Sequence, residues 1–467
     1  MTDKELFDSL AYERKNAYLE MSAAEKAEMD SFCDEYRVFL DNGKTERECI
    51  KLSVKVAQEA GFVDLADIDE LKPGDKVYKV NRGKSIFMAV IGKEDIRKGI
   101  NIAGAHIDSP RLDLKQNPLY ESTDMALLKT HYYGGIKKYQ WTAVPLAIHG
   151  VMYNTSGEKL EIVLGEKEDD PVFVITDLLP HLAKDQMTKK MTEGIEGENL
   201  NVLIGGMPIE AEGVKEKVKF SILKLLNARY GITEKSFQSA EFEIVPAQKA
   251  KNVGLDESFI GAYGQDDRVC AYTTLRAVLE AEMPQRTAAA ILVDKEEIGS
   301  MGNTGAKSAF MTMTIAELIE KACGGCSVTD LNRTIENSAC MSSDVSAAVD
   351  PNYLSVSEAN NSAYAGCGVT IVKYTGARGK SDSSDANAEF VYEIGKLMDE
   401  DGVIWQTGEL GKVDQGGGGT IAQYVANLNM DVIDCGVPVL SMHSPFEVTA
   451  KSDVYMAYRA YKAFYKR

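Results

Sequence analysis

The stretch VCAYTTLRAVLEAEMPQRTAAAILVDKEE, residues 269–297, decides the fold of this 467-residue chain. Its first half predicts a helix, and its second half predicts an apolar strand that ends in two carboxylates. The alternation of helix and strand then continues towards the end of the chain, through FMTMTIAELIEKAC, GVTIVKY, DANAEFVYEIGKLMDE, MDVIDCGVPVLSM and SDVYMAYRAYKAFY. Such alternation is typical of an α/β layered domain with a largely parallel central sheet.

The chain upstream of this stretch has a different pattern. The first sixty residues carry apolar residues at helical spacing, and strands follow as far as His106. Strand-like runs then dominate residues 108–246, with one lysine-rich helical stretch near 213–228; the runs are AVPLAIHGVMYN, KLEIVLG, PVFVIT and EFEIVPA. We therefore predict a catalytic domain formed by residues 1–107 and 247–467, interrupted by a β-rich insertion at 108–246.

The composition excludes several classes of partner. With 52 basic and 71 acidic residues, the formal charge of -19 repels phosphate backbones and anionic lipid surfaces, so we expect neither nucleic acid nor membrane as a partner. The first residues lack the basic and apolar parts of a secretion signal, which predicts a cytoplasmic protein. The cysteines are sparse, and the pair Cys323 and Cys326 has no second pair beside it, so small reduced thiols are favoured over a zinc knuckle or redox site.

Several predicted strands end in side chains that bind metals: His106 and Asp108, Glu296 and Glu297, then Asp344 and His443. Because ligands collect beyond the carboxyl ends of strands in α/β sheets, these distant positions are expected to meet in one crevice. The alternative for each histidine alone is a hydrogen-bonded structural role.

Two pairs among these residues have a spacing that suits metal chemistry. In an extended segment, Asp108 projects the same way as His106 and can orient it, although Asp108-Ser109-Pro110 is also ordinary turn chemistry. Glu296 and Glu297 supply the metal ligand and the general base that metal-assisted hydrolysis needs. A solvated surface pair is the alternative, and the apolar lead-in AAAILV favours a position close to the core.

Two other motifs are more ambiguous. Asp266 opens a predicted helix, where it can bridge two cations or simply cap the helix. The run 416–420, GGGGT, lets backbone amides approach a ligand closely. Its spacing matches neither the phosphate-binding loop nor the dinucleotide fingerprint, which argues against a nucleotide site.

Over nearly the whole chain, the motifs resemble one family: the aminopeptidase I and aspartyl aminopeptidase group of dinuclear zinc exopeptidases, in particular its bacterial branch. The motifs that carry this resemblance are AHIDSP (105–110), YGGIKKYQW (133–141), GQDDRVCAY (264–272), VDKEEIGSMG (293–302), SSDVSAAVDPNY (342–353), DQGGGGTIA (414–422) and LSMHSPFE (440–447). The resemblance implies an aminopeptidase that removes the N-terminal residue of short peptides.

The resemblance also implies a set of metal ligands. Asp266 is expected to bridge two Zn²⁺ ions per chain, with Co²⁺ or Mn²⁺ as possible substitutes. His106 and Asp344 are expected to complete one site, and Glu297 and His443 the other.

Three residues receive catalytic roles from the same resemblance. Glu296 is expected to be the general base, and Asp108 to support His106. Family members place a histidine from the inserted domain of a neighbouring subunit over the active site, and DLLPHLAKD makes His181 the candidate. The insertion is therefore expected to serve oligomerisation and substrate access, in a homododecamer built from dimers.

The preferred N-terminal residue stays open. Lys373 resembles a lysine proposed to meet acidic side chains, but the loop after it, ARGKSDSSDANAEF, differs from the family. Better-known eukaryotic members carry two histidines where this chain has Ala347 and Asp350. The residues expected to contact substrate are Lys373, Gly418, Gly419 and Thr420. Two rivals remain: a related enzyme that hydrolyses non-peptide amides such as N-acyl amino acids, and a noncatalytic assembly or binding protein on the same scaffold.

Overall fold

The computed structural model describes residues 1–467. The helices are α1 Asp3–Leu10, α2 Ala17–Glu20, α3 Ala23–Asn42, α4 Glu46–Glu59, α5 Lys184–Thr188, α6 Met191–Gly194, α7 Lys217–Tyr230, α8 Gln265–Leu279, α9 Phe310–Cys323, α10 Val328–Asn337, α11 Ala388–Glu400, α12 Ala422–Ala426 and α13 Lys451–Phe464. No helix combines the length and the apolar character that crossing a membrane requires.

The strands are β1 Val63–Asp64, β2 Lys76–Asn81, β3 Ser85–Val90, β4 Ile100–His106, β5 Arg111–Ser122, β6 Met125–Tyr133, β7 Leu146–Tyr153, β8 Lys159–Leu164, β9 Val202–Gly205, β10 Glu241–Pro246, β11 Lys251–Val253, β12 Phe259–Ala262, β13 Thr287–Val293, β14 Ala339–Ser342, β15 Ser346–Ala347, β16 Val369–Val372, β17 Gly376–Ala377, β18 Trp405–Thr407, β19 Gly417–Gly418, β20 Asp431–Gly436, β21 Pro438–Leu440 and β22 Glu447–Ala450.

The central sheet has nine strands in the order β1-β2-β3-β13-β4-β14-β20-β16-β18. Its four middle strands, β13, β4, β14 and β20, are parallel, which confirms the predicted α/β class. Towards the edges the sheet is mixed, because β3 is antiparallel to both of its neighbours and β16 is antiparallel to β20. The short turn between β2 and β3 requires this reversal, since tight turns join antiparallel strands.

Helices cover both faces of the central sheet. One face packs against α3, α8 and α13 through side chains such as Phe32, Leu275 and Tyr461. The other face packs against α9, α10 and α12 through side chains such as Ile315 and Val425. Strands β4 and β13 are therefore buried along their whole length, which explains why their sequences are apolar runs without polar alternation.

A second sheet is built only from residues 111–246. Its order is β8-β7-β10-β5-β6-β9, all its pairs are antiparallel, and it has its own hydrophobic core beneath α7. Helix α7 overlaps the lysine-rich stretch near 213–228 that predicted a helix, and it ends two residues later. The predicted strand PVFVIT forms only isolated bridges at Phe173 and Val174. The domain boundaries at 107/108 and 246/247 stay a prediction.

A small sheet, β11-β12-β22-β21-β15, lies beside the carboxyl edge of the central sheet. Asp266 follows β12 at the start of α8, and His443 lies in the turn between β21 and β22. This sheet therefore brings two late segments of the chain to the edge where β4, β13 and β14 end.

Candidate metal centre

Three neighbouring parallel strands deliver candidate ligands to one edge of the central sheet. His106 is the last residue of β4, Glu296 and Glu297 follow β13, and Asp344 follows β14. Since β13, β4 and β14 are adjacent and parallel, their carboxyl ends open into the same crevice. The convergence that the sequence pattern predicts is therefore present.

Asp266 stands between the two candidate histidines. Its Oδ1 lies 3.2 Å from His106 Nε2, and its Oδ2 lies 3.1 Å from His443 Nε2. Asp344 Oδ1 lies 4.0 Å from His106 Nε2, and Glu297 Oε1 lies 3.6 Å from His443 Nε2. One carboxylate thus joins two sets of side chains, each containing a histidine and a further acid.

The acidic side chains of this cluster are buried close together, so their ionised forms need positive charge nearby. Burial and the neighbouring charge of Asp266 raise the pKa of Glu297 well above its usual range, and burial does the same for Asp344. Burial also acts to raise the pKa of Asp266, but hydrogen bonds with His106 and His443 outweigh it and lower that pKa. Buried carboxylates of this density are stable only when paired or bound to cations.

The donor set fits zinc. Imidazole nitrogen and carboxylate oxygen are both ordinary zinc ligands. Glu297 Oε1 is buried and has no hydrogen-bond partner, so this oxygen is available in the cluster as a metal ligand. Ligand atoms within 4.8 Å of one another form two groups: His106, Asp266 and Glu297, and His106, Glu296 and Asp344.

Glu296 is thus close to the same centre as the predicted ligands. Its pKa is raised to about 7, chiefly by burial, with the charges of Asp108 and Asp266 acting in the same direction and His106 opposing them. A carboxylate with a pKa near neutrality can both accept and return a proton under physiological conditions. This is the property that a general base requires.

Asp108 connects the first histidine to the loop that carries the two glutamates. Its Oδ1 lies 3.3 Å from His106 Nδ1, whose nearest acceptor is the Asp108 carbonyl oxygen at 3.0 Å. The Asp108 carboxylate also accepts the backbone N–H of Glu296 at 3.1 Å and that of Glu297 at 3.2 Å. The phenol of Tyr133 donates to Asp108 Oδ2 at 2.8 Å.

Two buried acids that the sequence did not single out also hold the site. Glu447 accepts the backbone N–H of His443 at 2.7 Å and that of Asp266 at 2.9 Å. Asp267 accepts the backbone N–H of His106 at 3.2 Å. Both lie in motifs that carry the family resemblance, but their contacts join segments far apart in the chain. Apart from those motifs, their proximity to Asp266 and His443 is the only sequence signal for them.

A cavity of about 470 Å³ opens over the cluster. Gly418, Gly419 and Thr420, the residues expected to contact substrate, line it together with Arg378 and Lys380 from the opposite loop. The hydroxyl of Thr420 donates to Asp434 Oδ1 at 2.8 Å.

Two predicted residues lie outside this cavity. Lys373 is not among the lining residues, although its neighbours are, and its ammonium group pairs with Asp385. His181 is exposed in a turn before α5 and does not line the cavity of its own chain. A role for either in this site therefore stays a prediction.

A layered α/β sheet with histidines and carboxylates gathered around one shared aspartate defines a metal-dependent hydrolase. The family model described as "Aminopeptidase I zinc metalloprotease (M18)" matches residues 39–465. A relative from Clostridium acetobutylicum, described as a probable M18 family aminopeptidase 1, is 50% identical over 98% of this chain and 99% of its own length. The chain belongs to the M18 family of zinc aminopeptidases.

Solved structures agree with this assignment. The crystal structure of an M18 family aminopeptidase from Thermotoga maritima matches with a TM-score of 0.94 and 48% identity, over 98% of this chain and all of that one. A structure described as the S. cerevisiae mApe1 dodecamer shares the fold, with a TM-score of 0.75 at 19% identity, over 94% of this chain and 97% of that one.

Proposed function

We propose that the chain hydrolyses the N-terminal residue from short peptides with two zinc ions per chain. His106 and Asp344 would hold one ion, Glu297 and His443 would hold the other, and Asp266 would contribute one oxygen to each. The observation that carries this proposal is the position of Asp266, whose two oxygens each face a different histidine at 3.1–3.2 Å. Co²⁺ and Mn²⁺ accept similar donors and are expected to substitute.

When bound, the ions would supply Lewis acidity to the peptide carbonyl and would lower the pKa of the attacking water from ~16 towards ~7. Glu296 accepts a proton from the attacking water as the water oxygen bonds to the carbonyl carbon. It then delivers that proton to the leaving amine as the C–N bond breaks, which returns Glu296 to its carboxylate form. Asp108 orients His106 and, through the backbone of Glu296, keeps the base beside the reacting atoms.

The cavity suits a short peptide. Its volume of about 470 Å³ lies within the range of small-molecule sites. Gly418 and Gly419 present backbone rather than side chains to the bound peptide. Thr420 commits its hydroxyl hydrogen to Asp434 and accepts the backbone N–H of Ala422 at 3.3 Å, so it offers only its remaining lone pair to the cavity, which suits an N–H group of the substrate. Lys373 remains a candidate for contact with an acidic side chain.

Self-association is the second part of the proposal. We assign the insertion, residues 108–246, to a homododecamer built from dimers, in which His181 of one subunit reaches the site of its neighbour. The surroundings of His181 support this assignment, since they expose large apolar side chains that a partner subunit would cover. They are Leu178, Leu179, Leu182, Met187 and Met191. The acidic, cysteine-poor composition supports a cytoplasmic location.

The variant Glu296→Gln tests the mechanism. It keeps the size of the side chain and removes the base, so it is expected to bind zinc like the wild type and to lose at least 100-fold in kcat. Elemental analysis measures zinc, and aminoacyl and N-acyl substrates assayed side by side with zinc, cobalt and manganese measure activity. Glu320→Gln, at an exposed position on α9, is the matched control. Retained turnover in Glu296→Gln removes Glu296 from its role.

A further inference from the structure

One short segment of the insertion reaches both halves of the metal centre. It consists of Tyr133, the last residue of β6, and the two glycines that follow. The Tyr133 hydroxyl donates to Asp108 Oδ2 at 2.8 Å, and the Gly135 carbonyl lies 2.8 Å from His443 Nδ1. Asp108 in turn contacts His106. The three-residue segment therefore contacts His443 directly and His106 through Asp108.

We propose that Tyr133 is a positioning residue for the metal centre and that Tyr133–Gly135 fixes the orientation of both histidine ligands. The inference rests on the ligand set given under the proposed function. It assigns to the insertion a task inside its own subunit, in addition to any contact between subunits.

The role of Tyr133 follows from the number of contacts that Asp108 makes. This one carboxylate faces the His106 ring and accepts the backbone N–H groups of Glu296 and Glu297. The Tyr133 hydroxyl is the side-chain group that donates a hydrogen bond to this carboxylate, at Oδ2. The phenol therefore stops the carboxylate from rotating away from His106. Outer hydrogen bonds of this kind set the orientation and the basicity of a ligating histidine.

The role of Gly135 follows from the two nitrogens of His443. The Gly135 carbonyl can only accept, so His443 Nδ1 must carry the proton in this contact. In the neutral ring the lone pair is then on Nε2, and it is Nε2 that faces Asp266 and Glu297. The carbonyl thereby selects the tautomer that can bind a metal.

Gly134 allows the segment to pass this close to the ligands. Its φ of +71° is unfavourable for other residues, and a Cβ atom there would lie 3.1 Å from Glu297 Oε2 and 3.4 Å from Pro110 Cα. The backbone thus runs directly against a candidate ligand, and any larger residue would push the two apart.

A buried arginine holds the Tyr133 ring from behind. The Arg111 guanidinium lies 3.8 Å from the ring centroid. Arg111 also pairs with Glu243 of β10 at 3.2 Å and with Glu46 of α4 at 3.7 Å. Removing only the hydroxyl therefore leaves the ring packed and stacked, so Tyr133→Phe tests the hydrogen bond rather than the fold.

The experiment compares Tyr133→Phe with Tyr132→Phe, because Tyr132 is the adjacent and 46% exposed tyrosine of the same strand. Zinc affinity is measured by competition with a chromophoric chelator, starting from metal-free protein. Tyr133→Phe is expected to bind zinc about 10-fold more weakly and to lose about 10-fold in kcat with little change in KM. Tyr132→Phe is expected to match the wild type, and all three metal-free proteins are expected to melt alike.

Gly134→Ala is the second variant, and it is expected to weaken zinc binding through displacement of Glu297. Wild-type zinc affinity in both Tyr133→Phe and Gly134→Ala would overturn the inference. A lower melting temperature of the metal-free Tyr133→Phe protein with unchanged zinc affinity would do the same, since the role would then be purely structural. If the wild type binds zinc but hydrolyses no peptide, the proposed function fails, and the comparison of affinities still decides the role of Tyr133.

Discussion

Thr420 shows how one hydrogen atom determines what a residue can recognise. Its hydroxyl donates to Asp434, which is 2% exposed and whose pKa is raised to about 6 by burial. With its hydrogen committed, the Thr420 oxygen can only accept from the cavity. A peptide N–H meets that requirement, whereas a carbonyl oxygen does not.

Thr420→Val is therefore expected to raise KM several-fold, up to about tenfold, which is the usual range for one lost hydrogen bond between neutral groups. The change in kcat is expected to be smaller, because the proposed contact is with an N–H group of the substrate and not with the carbonyl that reacts. Steady-state assays with one aminoacyl substrate measure both constants. Thr420→Ser keeps the hydroxyl and serves as the control. A KM that is unchanged in Thr420→Val would contradict a contact with substrate.

The sequence predicts the convergence of candidate residues where a strand end alone places them. His106, Glu297 and Asp344 follow apolar strands, and parallel strands must end at a common edge. Glu447 and Tyr133 could not be found in this way. Each contacts the site through hydrogen bonds between segments that only the folded chain brings together. No local pattern encodes such contacts, so the sequence could not assign them.

At the scale of single elements, the start of α13 holds an unusual carboxylate. Asp453 is fully buried and accepts the backbone N–H groups of Gly366 at 2.7 Å and Gly368 at 2.8 Å. Burial nevertheless dominates and raises its pKa to about 7. Between roughly pH 4 and pH 7, the folded chain thus keeps a proton that the unfolded chain has lost. This group therefore makes the fold less stable as pH rises through that window.

Asp453→Asn is expected to remove this contribution. The melting temperature is expected to fall less between pH 5 and pH 8 in the variant than in the wild type. Circular dichroism in the presence of a chelator measures it. Asp8→Asn, at an exposed position on α1, is the control and is expected to leave the pH dependence unchanged. An unchanged pH dependence in Asp453→Asn would show that the carboxylate does not titrate in this window.

Most elements follow from the spacing of apolar residues. The N-terminal helices and the later helix–strand alternation are confirmed, because burial on one or both faces leaves a strong periodic signal. The antiparallel direction of β16 against β20 was not predictable, since no short turn joins these strands and their pairing depends on tertiary order. The prediction of a strand at PVFVIT was wrong. The run is rich in β-branched residues, but it pairs with its neighbours only through isolated bridges.

At the scale of the assembly, the proposed role of His181 in a neighbouring site has a direct test. His181→Ala chains keep Glu296, and Glu296→Gln chains keep His181, so each oligomer alone is expected to be nearly inactive. Co-expression of the two variants places intact partners side by side, and about a quarter of the sites in a random mixture become complete. Purification through two different tags and a peptidase assay measure the recovery.

Mixtures in which the two parent oligomers are purified separately and combined without exchange serve as the control, and they are expected to stay inactive. Co-expressed oligomers that also stay inactive would place His181 in its own subunit or outside catalysis. Size-exclusion chromatography with light scattering measures whether the mixed particles have the mass of twelve chains.

The proposed ligands are spread over most of the 467 residues, from His106 on an early strand to His443 shortly before α13. Under the proposed ligand set, a nascent chain therefore holds an incomplete centre until His443 has been added. A fragment that stops before this residue lacks the second histidine, and it is expected to be inactive.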